Sequence, residues 1–245
     1  MFRFNILLWC DEKISYLKDN GIAIRNGIPQ IPEEFLYKDI PSSITTFRHR
    51  KSVAKNDRKN SLVSFYMFED ALWPRLYKLD DEISTLMEYS GIVGFDLSPC
   101  VTMLRPRQKL SILINAIHSC YCGIHGIKIL PNYRAGDFGT IRTADFFPDN
   151  NRFIVGNLGC LRNGFKEYGY YQLNIILHKK TPDMLFIVGG ISKKDAKIIL
   201  SKYPIEIIAY PDQRNKSRNG RSAYLYQLSD TQLIKSIYPS LEEVS

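Results

Sequence analysis

The polar chemistry of this chain collects just past its apolar runs, at Asp70, Asp96, Asn132, Arg134, Asp137, Asn157 and Cys160. The clearest case is residues 126–137, GIKILPNYRAGD. Ile127, Ile129 and Leu130 make a short apolar run, which ends in Pro131, Asn132, Arg134, Gly136 and Asp137. In a parallel sheet the C-terminal ends of all strands share one edge, so residues just beyond them converge although far apart in sequence. Asp70, Asp96 and Asp137 could hold a divalent cation through oxygen, as phosphoryl-transfer sites do. Arg134 could then grip a phosphate with its two-pronged guanidinium. Asp96, Arg134 and Asp137 are therefore the candidate catalytic residues, and Asp70, Asn132, Asn157 and Cys160 the candidate ligand-binding ones. The competing expectation is that Asp96 and Asp137 cap or tie loops, with Arg134 paired to one of them.

Two cysteine-bearing stretches invite chemistry of their own. Cys160 lies in GNLGCLRNG, a glycine-punctuated turn between an expected strand and helix. A thiol at a helix N-terminus is activated there, or the glycines let the backbone approach an anion; a plain buried cysteine is the simpler alternative. His118, Cys120, Cys122 and His125 (HSCYCGIH) fit no zinc spacing and straddle a helix end, so no metal site is assigned to them.

The elements that must position these residues alternate. Residues 62–67, 91–96, 128–132, 152–157, 184–188 and 205–210 read as strands. Between them, 69–89, 109–122, 167–180 and 192–202 show apolar residues three or four apart, the spacing of a buried helix face. Pro74 belongs in the first turn of the first of these helices, and Ser192 is a good N-cap for the last. Leu110, Leu113, Ile114 and Ile117 point inward from the second helix. Phe65, Tyr66, Phe68 and Trp73 read as core and flank of the first β-α unit. Near-continuous apolar strands imply cover on both faces, hence an α/β fold of repeated β-α units with a largely parallel sheet, open or barrel-like. The run at 4–8 and the segment 223–228 would supply two more strands, enough for an eight-stranded barrel.

Residues 1–60, interrupted by Pro29, Pro32 and Pro41, read as an irregular N-terminal arm or cover on an α/β domain of 61–245, one compact unit overall. Phe4, Ile6 and Leu8 give a weak strand signal. Two basic segments stand out: 47–60, with Arg48, Arg50 and Lys51, and 211–222, with Arg214, Lys216 and Arg218. The net charge of +8 favours anionic partners, nucleic acid first, with those six residues as the contacts; an unspecialised basic surface, with 47–60 a solvated loop, is the alternative. An odd count of five cysteines fits a reducing cytoplasm better than a disulfide framework. No apolar run approaches the ~20 residues of a membrane helix, and the N-terminus lacks a signal-peptide cleavage site.

From about residue 26 to 208 a series of blocks appears in order: GIPQIPEEF, DIPSSITTF, VSFYMFEDALWPRLY, GIVGFDLSPCVTM, GIKILPNYRAGD, DFFPDNNRFIVGNLGCLRN and PDMLFIVGG. Together they resemble an uncharacterised family of bacterial, phage and mobile-element proteins known only as a domain of unknown function. Members often carry an aromatic where this chain has Ala135, and often two Asp near Glu69 and Asp70. The resemblance implies a phage or plasmid setting and no particular reaction, so it carries over no catalytic residue. The expected function is nucleic-acid binding by a mobile-element protein. An enzyme or sequestering protein for a small phosphorylated ligand, and an inhibitor that binds a host protein, are the alternatives.

Overall fold

The computed structural model describes residues 4–149, 151–156, 173–189, 193–211, 224–227 and 230–236. They fall into two compact units, Met1–Tyr37 with Thr46–Pro148, and Lys38–Thr45 with Asp149–Ser245. This division differs from the one expected at residue 60. The fold class agrees: helices alternate with parallel strands in an α/β architecture.

The first unit opens on a helix where the alternation at 4–8 suggests a strand. In α1 (Ile6–Asp19), Asn5 is the N-cap, its Oδ1 accepting from the amides of Leu7 and Leu8 at 3.1 and 3.3 Å. Trp9, Cys10 and Leu17, at helical spacing, turn inward, while Leu7 and Leu8 stay exposed. The cap and the longer period outweigh the five-residue alternation. The hairpin of β1 (Ile24–Arg25) and β2 (Ile28–Pro29) follows. Its turn holds Asn26 at φ 52° and Gly27 at φ 78°, the pair of left-handed residues a two-residue hairpin demands. The chain leaves this unit after Tyr37 and returns at Thr46, where β3 (Ser43–Thr46) ends.

The core of the first unit is a parallel run of β4 (Ser61–Ser64), β5 (Gly91–Val93) and β6 (Ile129–Leu130). Leu62 stands opposite Gly91, and Ile92 opposite Ile129. Every residue of the three strands is buried, as continuous apolar runs require when both faces are covered. The helix expected over 69–89 breaks in two, α2 (Glu69–Tyr77) and α3 (Leu79–Leu86), with Lys78 at φ −106°, ψ 11°. Pro74 sits within α2, past its first turn, where it removes one rung of the hydrogen-bond ladder. The central element is α4 (Arg105–Ile124), buried almost all round from Ser111 to Gly123 and packed against α1. Ile114 and Ile117 are in its core, whereas Leu110 and Leu113 are half-buried.

The second unit has its own sheet. β7 (Phe153–Gly156), β8 (Met184–Val188) and β9 (Glu206–Tyr210) run parallel. β10 (Tyr224–Gln227) and β11 (Asp230–Ser236) extend the β9 edge antiparallel. The strand at 223–228 thus exists but runs against its neighbour, and β11 was not expected. Among the described residues the strands fall into three separate sheets, β1-β2, β3-β4-β5-β6 and β7-β8-β9-β10-β11, and form no eight-stranded barrel. Residues 173–180 are helical, and α5 (Lys193–Leu200) follows β8; the N-cap expected at Ser192 lies outside the described residues. The Tyr210 hydroxyl donates to the Pro41 carbonyl at 2.7 Å, fixing residues 38–45 to β9. Among the described residues no helix is long and apolar enough to cross a membrane.

Candidate functional site

The loops after β5 and β6 meet in a hub of three side chains. Asp96 Oδ1 accepts from Arg134 Nε at 2.6 Å and from Asn132 Nδ2 at 2.9 Å; its Oδ2 lies 3.4 Å from Arg134 Nη2. Tyr66, past the end of β4, donates its hydroxyl to Asn132 Oδ1 at 3.3 Å, and its ring lies 5.7 Å from the Arg134 guanidinium carbon. Asp96, Asn132 and Arg134 are 7%, 2% and 9% exposed. The parallel order of β5 and β6 therefore brings Asp96, Asn132 and Arg134 together, as expected, while from β4 it is Tyr66 and not the expected Asp70 that joins them. Their chemistry is committed inward: the carboxylate is held by a two-point guanidinium pair and an amide. That arrangement ties three loops together.

Asp137 lies beside the hub with separate partners. Its Oδ1 caps the turn Phe138–Thr140 by accepting from the Gly139 amide at 2.9 Å. Its Oδ2 pairs with Arg105 Nε at 3.2 Å. The Asp137 amide donates to Gln108 Oε1 at 2.7 Å, and the Gln108 Nε2 donates to the Met103 carbonyl. Gly136 is required here, because a Cβ would run into the Gln108 amide. The start of α4 is thereby pinned to the loop after β6. Asp70 is exposed in the first turn of α2. Asp70, Asp96 and Asp137 thus have separate surroundings, and the cation site suggested for them does not form. Among the described residues no three His, Cys, Asp or Glu come together to hold an ion. Asn157 and Cys160 lie outside the described residues.

His118, Cys120 and Cys122 are buried in α4. The His118 ring stacks on Phe95 at 4.1 Å, and its Nδ1 is 3.8 Å from Cys122 Sγ. Burial pulls the imidazole down to about 3 and pushes both thiols up, so these groups are neutral core members. A second buried cluster surrounds Phe47. The Arg50 and Arg75 guanidinium carbons lie 3.7 and 5.0 Å from its ring centroid, and Glu82 pairs with Arg75. Burial drives the Glu82 carboxyl up to about 7, against the pull of the two arginines.

The basic segment 47–60 winds as two 3₁₀ turns, Phe47–Ser52 and Lys55–Asn60. Arg48 and Lys51, three apart and so on one face of such a turn, are exposed. Arg50 turns inward, donating to the Phe47 carbonyl at 2.8 Å. Arg214, Lys216 and Arg218 lie outside the described residues.

Among the described residues three large apolar side chains stand well out of the fold, of which the sequence singled out Phe68 alone, as core or flank. Phe68, Leu104 and Phe138 are 83%, 81% and 74% exposed, and they follow β4, β5 and β6 respectively. Phe65 is core as expected; Phe68 is not. The first turn of α4 carries Arg105 and Arg107 with no acid, Lys109 comes next, and all three are exposed. Arg105 lies against Gly139, the residue that follows Phe138, and pairs with Asp137, the residue before it. The run RPRQK at an expected helix start was the signal, since a helix N-terminus ordinarily prefers acids. Compared with family models, curated proteins and solved structures, the chain matches none.

Proposed function

We propose that this protein binds single-stranded nucleic acid along the C-terminal edge of the β4–β6 sheet, in the phage or mobile-element setting that its sequence blocks suggest. The observation that carries this reading is the start of α4. Arg105, Arg107 and Lys109 add positive charge where the helix dipole is already positive. This placement works against helix stability and favours a polyanion. Exposed Phe68 and Phe138 supply apolar faces on which bases stack, beside cations that meet phosphates. Arg48 and Lys51 extend the basic surface of the same unit, and the net charge of +8 supports association with polyanions. The buried Asp96–Arg134 hub acts as the brace that holds the loops.

The test is a fluorescence-anisotropy titration of single-stranded DNA and RNA oligonucleotides over a range of salt. Each phosphate contact contributes about −0.7 to the slope of log K against log salt for a single strand. Arg107→Gln and Lys109→Gln each flatten the slope by about that amount. Absence of binding at about 50 mM salt, or a slope unchanged in both variants, overturns the reading.

A further inference from the structure

The basic turn Phe47–Ser52 holds one of its cations back from solvent, on a carboxyl that can change charge. Arg48 and Lys51 are exposed, while Arg50 folds onto Phe47. Its guanidinium carbon lies 3.7 Å from the ring centroid, and its Nη1 donates to the Phe47 carbonyl at 2.8 Å. The Arg75 guanidinium carbon, from α2, lies 5.0 Å from the same centroid. Two cations thus share one ring. The anion that offsets them is Glu82, 7% exposed in the first turn of α3 and paired with Arg75.

Three features make this cluster a two-position device. The hold on Arg50 is incomplete: among the described residues neither Glu82 Oε2 nor Arg50 Nε, both buried, has a hydrogen-bond partner. Charge therefore retains the guanidinium beside Glu82, and losing that charge loosens it. The backbone, by contrast, is anchored. The Arg50 carbonyl accepts from the Tyr89 hydroxyl at 2.6 Å and from the Val53 amide at 3.1 Å, so the side chain can swing while the turn stays. Finally, the Glu82 carboxyl titrates close to neutrality. Burial drives it up to about 7, with Asp81 pushing the same way and Arg75, Arg50 and Lys78 opposing. Cys122 faces it from α4 and Tyr89 flanks Arg50; burial raises both of these groups and keeps them neutral. Below about 7 the carboxyl is neutral, and the two guanidinium groups then share the ring with that compensation gone. Buried charge without a counter-charge is costly, and Arg50, half-buried between exposed neighbours, has the short way out.

We propose that Glu82 gates Arg50: the carboxylate holds the guanidinium on Phe47, and the neutral acid releases it to the surface, where it joins Arg48 and Lys51 as a further phosphate contact. This regulation rests on the nucleic-acid reading above; the movement of Arg50 does not.

The experiment has two arms, both on the full chain. The first follows the Arg50 Nε–Hε signal by NMR across pH without nucleic acid, assigned by its loss in Arg50→Gln. It is expected to shift with a midpoint of about 7 in the parent and to stay at its low-pH position in Glu82→Gln. The second measures the salt dependence of binding to oligothymidylate, at about pH 6 and about pH 8, on either side of the Glu82 value. At the higher pH Glu82→Gln is expected to show a slope of log K against log salt steeper than the parent's by about 0.7, one phosphate contact. At the lower pH the two should agree. Any contribution of His49, exposed in the same turn, is common to both proteins and cancels. In Arg50→Gln the change of slope between the two pH values should shrink by about 0.7, a result that does not need the Glu82 variant to fold. An Arg50 signal that ignores pH, or moves equally in Glu82→Gln, overturns the gate. A signal that moves while the slopes of parent and Arg50→Gln respond alike overturns its link to nucleic acid. Absence of oligonucleotide binding at both pH values overturns the nucleic-acid reading and this regulation with it, whatever the Arg50 signal does.

Discussion

Separating Asp96 from Arg134 is the sharpest test of the brace. The carboxylate receives Nε at 2.6 Å and the Asn132 amide at 2.9 Å, and both charged residues are less than a tenth exposed. At about 4 Å between charge centres and an effective dielectric near 20, the Coulomb attraction is about 4 kcal/mol. Removing one partner strands the other charge in the interior, which costs about 3–5 kcal/mol. Asp96→Ala and Arg134→Ala are therefore expected to lose about that much each. The double variant should lose less than their sum, by about 2 kcal/mol, because it strands no charge. Urea unfolding followed by tryptophan fluorescence isolates the effect, since Trp9 and Trp73, the chain's two tryptophans, both belong to the first unit. The denaturant slope should stay constant while the midpoint moves. Single losses below about 1 kcal/mol that simply add would refute a coupled buried pair.

Four further outcomes follow from the geometry. The Glu82 carboxyl is raised to about 7 by burial, above the roughly 4.3 of an unfolded glutamate. The folded state thus holds the proton more tightly between those values. Stability of the first unit should fall as pH rises from about 4 to 7 and level off above, and Glu82→Gln should flatten that dependence in urea midpoints. Gly136→Ala forces a methyl into the Gln108 amide and should destabilise by about 1–3 kcal/mol in the same assay. Tyr210→Phe removes a buried hydrogen bond at Pro41, and hydrogen exchange should show β9 amides losing about 1–2 kcal/mol of protection. Phe68→Ala and Phe138→Ala should each weaken oligonucleotide binding by about 1–3 kcal/mol without moving the melting temperature, because both rings are exposed.

What the sequence disclosed depended on how far neighbouring residues dominate each feature. The run at 184–188 became β8 over the same residues, because an uninterrupted apolar stretch between turns has few other uses. The strand-end logic placed Asp96, Asn132 and Arg134 together, since parallel order alone dictates that edge. It left open whether those groups face a ligand or each other, because pairing depends on side-chain directions that spacing does not encode. The helix α1 was hidden by its first residues: Ile6, Leu7 and Leu8 mask the inward spacing of Trp9 and Leu17, and the cap at Asn5 was the overlooked cue. Phe68 looked like core because it is aromatic and follows β4, yet it stands outside the fold at the start of α2. The antiparallel turn of β10 and β11 arises from long-range pairing that no local pattern announces.

The second unit borrows eight residues, Lys38–Thr45, from the amino-terminal part of the chain. A nascent polypeptide emerging from the ribosome therefore displays Pro41 long before Tyr210, its hydrogen-bond partner, has been synthesised. Closing that contact spans 169 positions, an entropic cost that grows only logarithmically with the span but falls entirely on the last stage of synthesis. Severing the gene after codon 148 would deprive the carboxy-terminal product of a native segment, while supplying residues 38–45 as a separate peptide offers a route to complementation.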